Sequence, residues 1–128
     1  MQILKKEIGP SRFKVQLGAL LNSEEVSGAV ELDIENQAVF VDFMNNIFDE
    51  SNIDVVLDMQ NVGYMDSSGL WALFEGHKKA SRNNGNLVLI NATKDVKRVL
   101  DITKMSSKIR LYATIEEALK ALDTKSNA

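Results

Sequence analysis

Two short runs without a polar residue, Val55-Val56-Leu57 and Leu87-Val88-Leu89-Ile90, constrain the fold most. A strand with one wet face alternates apolar and polar residues. A continuous apolar run marks a strand buried on both faces, as in parallel sheets covered by helices. Helical patterns stand beside both runs. Phe40, Phe43, Met44, Ile47 and Phe48 recur at spacings of three and four before the first. Leu70, Leu73, Phe74, His77 and Ala80 form a second stripe, closed by Asn83-Asn84-Gly85, residues that tolerate left-handed backbone. Val96, Val99, Leu100 and Thr103 mark a third helix, and a short strand is predicted over Ile109–Leu111. The last helix opens with a capping box: Thr114 can accept from the Glu117 N–H while the Glu117 side chain reaches back. Ile115, Ala118, Leu119 and Leu122 give its inner face. Strands alternating with helices predict an α/β domain, with a small mixed but mostly parallel sheet and about four helices packed on it.

The sheet opens with a predicted antiparallel hairpin. Gln2 to Ile8 and Phe13 to Leu17 flank the turn Gly9-Pro10-Ser11, and Pro10 is the only proline. NSEEVSGAVELD, from Asn22 to Asp33, mixes polar and apolar residues and takes no firm assignment. With 128 residues the chain suits one domain, read as 1–122, followed by a polar tail 123–128 that is expected to fray.

Composition removes several function classes. There is no Cys, hence no disulfide framework and no thiolate metal site or nucleophile. MQILKKEIGPSRF holds no apolar run long enough for a signal peptide, and no stretch reaches 18 apolar residues, so neither secretion nor membrane insertion is expected. A net charge of -3 speaks against direct nucleic-acid binding. The basic cluster Lys78, Lys79 and Arg82 reads as a solvated helix end before it reads as a contact patch. A cytoplasmic protein without a cofactor fits these features.

YMDSSGL, from Tyr64 to Leu70, sits where an apolar strand leads into a helix, the place where function gathers in such sheets. Asp66 or Ser67 can serve as the helix cap, and Gly69 can let the backbone turn tightly. A serine exposed there is also a phosphate acceptor, because free N–H groups favour anionic oxygen. Other chemistries fit poorly. The only His is His77, ten residues beyond Ser67 and inside the helical stripe, so it serves poorly as the base of a serine hydrolase and is read as a packed or half-buried core residue. One His, no Cys and no calcium-loop spacing leave no metal site. DVVLDMQNVGYMDSSGL looks like the acceptor stretch of response-regulator receivers, with Asp58 as acceptor. That chemistry needs Mg²⁺ and further carboxylates. Gly-Pro follows the first strand where a receiver has its acidic pair, and no matching Lys follows the last strand, so Asp58 reads as a strand-end residue.

The run from Asn52 to Met105 is similar to the STAS domain of bacterial anti-sigma factor antagonists. The likeness lies in the apolar strand, D-S-S-G-L at the helix start, the polar-Gly turn before the next strand, and V-x-x-x-L in the helix after it. ELDIENQA, Glu31 to Ala38, is similar to the family's E-L-D lead into the first helix. The resemblance implies one STAS domain, a non-enzymatic module regulating sigma-factor-dependent transcription. It implies phosphorylation of the first serine of the motif, Ser67, by a partner that is both anti-sigma factor and serine/threonine kinase of the histidine-kinase-like ATPase class. It also implies a PP2C-type phosphatase that reverses the step. Asp33, Asp66, Ser67, Ser68, Gly69 and Trp71 are then the candidate switch surface, with no catalytic and no metal-binding residue. STAS modules also serve as unphosphorylated adaptors, on transporter ATPases or in stress-signalling complexes, and that is the second reading. The chain departs from the pattern twice. NSEEVSGAV lengthens the region before E-L-D, and Trp71 stands where a small residue is usual. Trp71 falls one turn after Ser67, outside the Leu70–Leu73–Phe74 stripe, and either packs under the extra segment or contacts a partner.

Overall fold

The alternating segments around Pro10 form β1 (Gln2–Gly9) and β2 (Arg12–Gly18), paired antiparallel with Ile3 opposite Leu17. A computed structural model describes residues 1–126, with side chains as far as Thr124. Three short strands follow, β3 (Leu20–Asn22), β4 (Glu25–Ser27) and β5 (Val30–Leu32), the last two within the stretch from Asn22 to Asp33 that takes no firm assignment from sequence. β3 and β4 make their own hairpin. Helix α1 (Gln37–Ile47) follows, then β6 (Asp54–Asp58), β7 (Val62–Met65), α2 (Ser67–Arg82), β8 (Asn86–Ile90) and α3 (Lys94–Ile102). A 3-10 turn (Met105–Ser107), β9 (Leu111–Tyr112) and α4 (Ile115–Ser126) follow as the last elements of the described residues.

The main sheet has the order β1-β2-β6-β8-β9, parallel except for the β1–β2 pair. The two apolar runs lie in its middle, as buried strands must. Val55 and Leu57 join the large core with Phe40, Met44 and Leu73 of α1 and α2. Val56 and Val88 point the other way, against Ala118 and Leu122 of α4. Alternate residues of one apolar run thus serve two cores. This is the α/β domain with a mixed sheet, an opening hairpin and four helices that the sequence pattern predicts.

Three details differ from expectation. The last strand is shifted from 109–111 to Leu111–Tyr112. Ile109 is fully buried, but its N–H donates to Met105 O and closes the 3-10 turn instead. The Glu117 side chain reaches Ala113 N (3.1 Å), one residue before Thr114, while Thr114 Oγ1 accepts from Glu117 N (3.2 Å), so the capping box is displaced by one position. Finally, α4 continues past Leu122 to Ser126, and 127–128 lie outside the described residues. Asp123 is tied down within that extension. Arg12 Nη1 donates to it at 2.8 Å, and Nη2 to Asp54 at 3.4 Å. The Asp123 hydrogen bond is the main reason that the Arg12 guanidinium sits above its ordinary pKa.

Candidate functional site

The site begins with a small parallel pair. β5 and β7 run side by side, with Leu32 opposite Met65. Adjacent strands lie about 4.8 Å apart, so Asp33 and Asp66 leave the same sheet edge as neighbours. The Asp66 N–H donates to Leu32 O (3.2 Å), which locks the two exits together.

The choice of cap falls to Asp66. Its backbone is extended (φ -91°, ψ -174°), and its Oδ1 accepts from Gly69 N at 2.9 Å. This satisfies one of the free N–H groups of α2. Ser67 is consequently the first helical residue. It is exposed, and its hydroxyl makes no hydrogen bond among the described residues. Ser68 is half-buried. Asp66→Ala is expected to cost about 1 kcal/mol of stability through the lost cap, read by urea denaturation, with Ser67→Ala near zero.

Gly69 is buried against β5. A Cβ there would overlap the Leu32 carbonyl, so glycine is required by close backbone approach and not by dihedral freedom. The buried stripe of α2 is Gly69, Ala72, Leu73, Gly76 and Ala80. The hydropathy stripe Leu70–Leu73–Phe74–His77–Ala80 is therefore rotated from the true one. Small residues carry little hydropathy signal, yet they bring α2 close to α1. At Gly76 a Cβ would stand 3.1 Å from the Met44 side chain. Leu70, Phe74 and His77 are half-buried instead, and the His77 ring stacks on Phe74 (centroids 6.2 Å, 28°).

Asp33 shapes the loop into α1. Its Oδ1 accepts from Glu35 N (3.0 Å) and Asn36 N (3.4 Å), and Asn36 Oδ1 accepts from Asp33 N (3.0 Å). Asn36 Nδ2 also donates to Glu31 O (2.5 Å). Sequence reasoning missed Asn36, although an Asp and an Asn three apart before a helix is the pattern of paired side-chain turns. It also missed β7 and the exposed apolar residues around the site: Ile34 is 70% exposed and Tyr64 50%. Trp71, one turn below Ser67, is 48% exposed and stands outside the buried core. The structure thus gathers Asp33, Asp66, Ser67, Ser68 and Gly69 at one sheet edge, with Trp71 on the helix leaving it.

Asp58 lies elsewhere. It is 3% exposed, accepts from Gln60 N (3.0 Å) and Asn91 Nδ2 (3.3 Å), and its Oδ2 stands 3.9 Å from Lys14 Nζ. Its oxygens are engaged, as befits a strand-end carboxylate. Among the described residues no group of three or more His, Cys, Asp or Glu could hold a metal ion. No helix among them is long and apolar enough to cross a membrane.

Comparison with known proteins follows this geometry. Residues 26–118 match the STAS domain family. A Thermotoga neapolitana protein described as an anti-sigma factor antagonist is 32% identical over 95 residues, 70% of this chain and 80% of that one. The anti-sigma-B factor antagonist of Staphylococcus epidermidis is 35% identical over 80 residues, 62% of this chain and 73% of its own. The unphosphorylated structure of the anti-sigma factor antagonist SpoIIAA superposes with a TM-score of 0.73 at 15% identity, covering 96% of this chain and 97% of that one. The phosphorylated form of SpoIIAA, from Bacillus, gives 0.66 at 15% identity, covering 94% and 99%. At that identity the likeness is one of fold.

Proposed function

Because the chain belongs to the STAS domain family, we propose that it acts as an anti-sigma factor antagonist, a binding module switched by phosphorylation of Ser67. Its partner in this reading is an anti-sigma factor that is also a serine/threonine kinase of the histidine-kinase-like ATPase class. Binding frees the sigma factor, phosphorylation ends the binding, and a PP2C-type phosphatase restores it.

One observation carries the reading. Asp66 holds the cap of α2, which leaves the Ser67 hydroxyl exposed and uncommitted at the first helical position. A phosphate there adds about -1.5 to -2 charges near pH 7 without removing a bond on which the fold depends. The positive helix terminus stabilises the new charge locally, while the neighbouring Asp66 carboxylate repels it. The fold stays and the docking surface changes. An uncharged serine permits close approach of the kinase, and a dianion beside Asp66 does not.

The test uses two variants against the partner kinase. Ser67→Ala is expected to bind it stably even with ATP present, and Ser67→Asp to bind poorly. Equal binding by both variants, or release of Ser67→Ala by ATP, would contradict the assignment.

A further inference from the structure

The outward face of α2 carries a feature that the switch alone does not use. A helix turns about 100° per residue, so Ser67, Trp71, Phe74 and Lys78 fall within about 60° of one another. They lie opposite the buried Gly69, Leu73, Gly76 and Ala80. Two ammonium groups converge on the Phe74 ring of this stripe. Lys78 Nζ stands 5.2 Å from its centroid, and Lys108 Nζ, from beyond the 3-10 turn, 5.4 Å. The ring attracts both cations, so both stand beside the same side chain. Lys79 is drawn aside to Asp49 (2.9 Å), and Lys78 also pairs with Glu75 (2.7 Å). Lys108 has no ion pair among the described residues.

Along the chain, the segment that precedes the stripe carries charge of the other sign. Between Lys14 and Lys78 the sequence holds no Lys or Arg, against twelve Asp and Glu. Glu31 on β5, Glu35 in the loop before α1 and Asp42 in the middle of α1 are exposed. An acidic ligand is repelled from that side and steered to the Lys78–Lys108 pair. Between the pair and Ser67 stands Trp71, half exposed, the type of side chain that anchors interfaces.

We propose that an acidic segment of the partner protein lies along this stripe, with its carboxylates on Lys78 and Lys108 and its body against Trp71. The inference rests on the reading of Ser67 as the switch and gives it a cause. Ser67 lies about 6 Å along the axis from Trp71 and about 16 Å from Lys78, a span that five extended residues cover. Phosphate on Ser67 places negative charge at the end of the track, and the acidic segment is repelled.

Trp71 is the only tryptophan, so its fluorescence reports directly on the stripe. The full chain is titrated at low salt with a short synthetic peptide of Asp and Glu alternating with Leu, and with a Lys-for-acid peptide of equal length. The acidic peptide is expected to shift the emission saturably, and added salt to weaken it. Lys78→Glu with Lys108→Glu is expected to lower its affinity about tenfold or more. The milder Lys78→Ala with Lys108→Ala should lower it severalfold, with far-ultraviolet circular dichroism confirming the fold of each variant. Ser67→Asp should also weaken the peptide, and Ser67→Ala should not. Equal binding of the Lys peptide, or wild-type affinity in both lysine pairs, would overturn the proposal. So would low-salt dimerisation of the chain alone that the lysine reversals abolish, since the occupant is then a second copy. A chain that binds the peptide through Lys78 and Lys108 but never carries phosphate on Ser67 retains the docking surface and loses the switch.

Discussion

Gly69→Ala is expected to lower the unfolding free energy by about 3 kcal/mol, a large effect for one methyl group. The added Cβ would meet the Leu32 carbonyl, which is backbone and cannot swing aside. That carbonyl also accepts from Asp66 N, so the clash pries apart the contact that aligns the two site exits. Relief requires α2 to slide off β5, which carries Ser67 away from the Asp33 loop. The control is Gly63→Ala on β7. No atom stands within 4 Å of a Cβ there, and the substitution should change stability by less than about 0.5 kcal/mol. Urea denaturation of both variants distinguishes close approach from a general intolerance of alanine. A Gly69→Ala protein within 1 kcal/mol of wild type would refute the steric account.

Phe40→Ala should cost about 3–5 kcal/mol, the usual cost of emptying a buried phenylalanine site. Phe40 is fully buried in the first turns of α1, among the residues that join the helices to β6. A domain of this size holds about 5–15 kcal/mol in all, so much of the margin would go and the denaturation midpoint would fall steeply. Val39→Ala, one residue earlier and 53% exposed, should stay within about 0.5 kcal/mol. If the two variants unfold alike, the core described by the packing is the wrong one.

The most legible part of the fold is the centre of its sheet. Val55–Leu57 and Leu87–Ile90 are buried on both faces, so their composition alone announces them, and the parallel sheet with its helices follows. The hairpin at Pro10 was legible because alternation and a turn residue agree. The stretch from Leu20 to Leu32 was not, because strands of three residues leave no periodicity to read. β7 escaped because Gly63 and the exposed Tyr64 break its apolar pattern, and its pairing with β5 joins residues about thirty positions apart. The rotated face of α2 has another cause. Gly69, Ala72 and Gly76 are buried for their smallness, a reason that hydropathy does not register.

The candidate site divides similarly. Asp66, Ser67 and Gly69 belong to one contiguous motif, Asp66 to Gly69, at a strand-to-helix junction, and each has a distinct place: a cap, an exposed hydroxyl and a close approach. Asp33 reads from the sequence as an acid of the switch surface, but its side chain also accepts from the Glu35 and Asn36 N–H groups, so replacing it would disturb the loop as well as its charge. Trp71 stands out in the sequence by its unusual size, and in the structure it is 48% exposed and outside the buried core. The meeting of Lys78 and Lys108 at Phe74 was beyond sequence reading, because Lys108 arrives from another element thirty residues on.

We propose that Ser67, and not its neighbour, carries the switch. Mass spectrometry of the protein isolated from its own cells tests it most directly. A fraction of molecules is expected to carry a single phosphate, localised by fragmentation to Ser67 and absent from a Ser67→Ala strain. Phosphate on Ser68 or another residue in place of Ser67, or equal labelling of the Ser67→Ala protein, would contradict it.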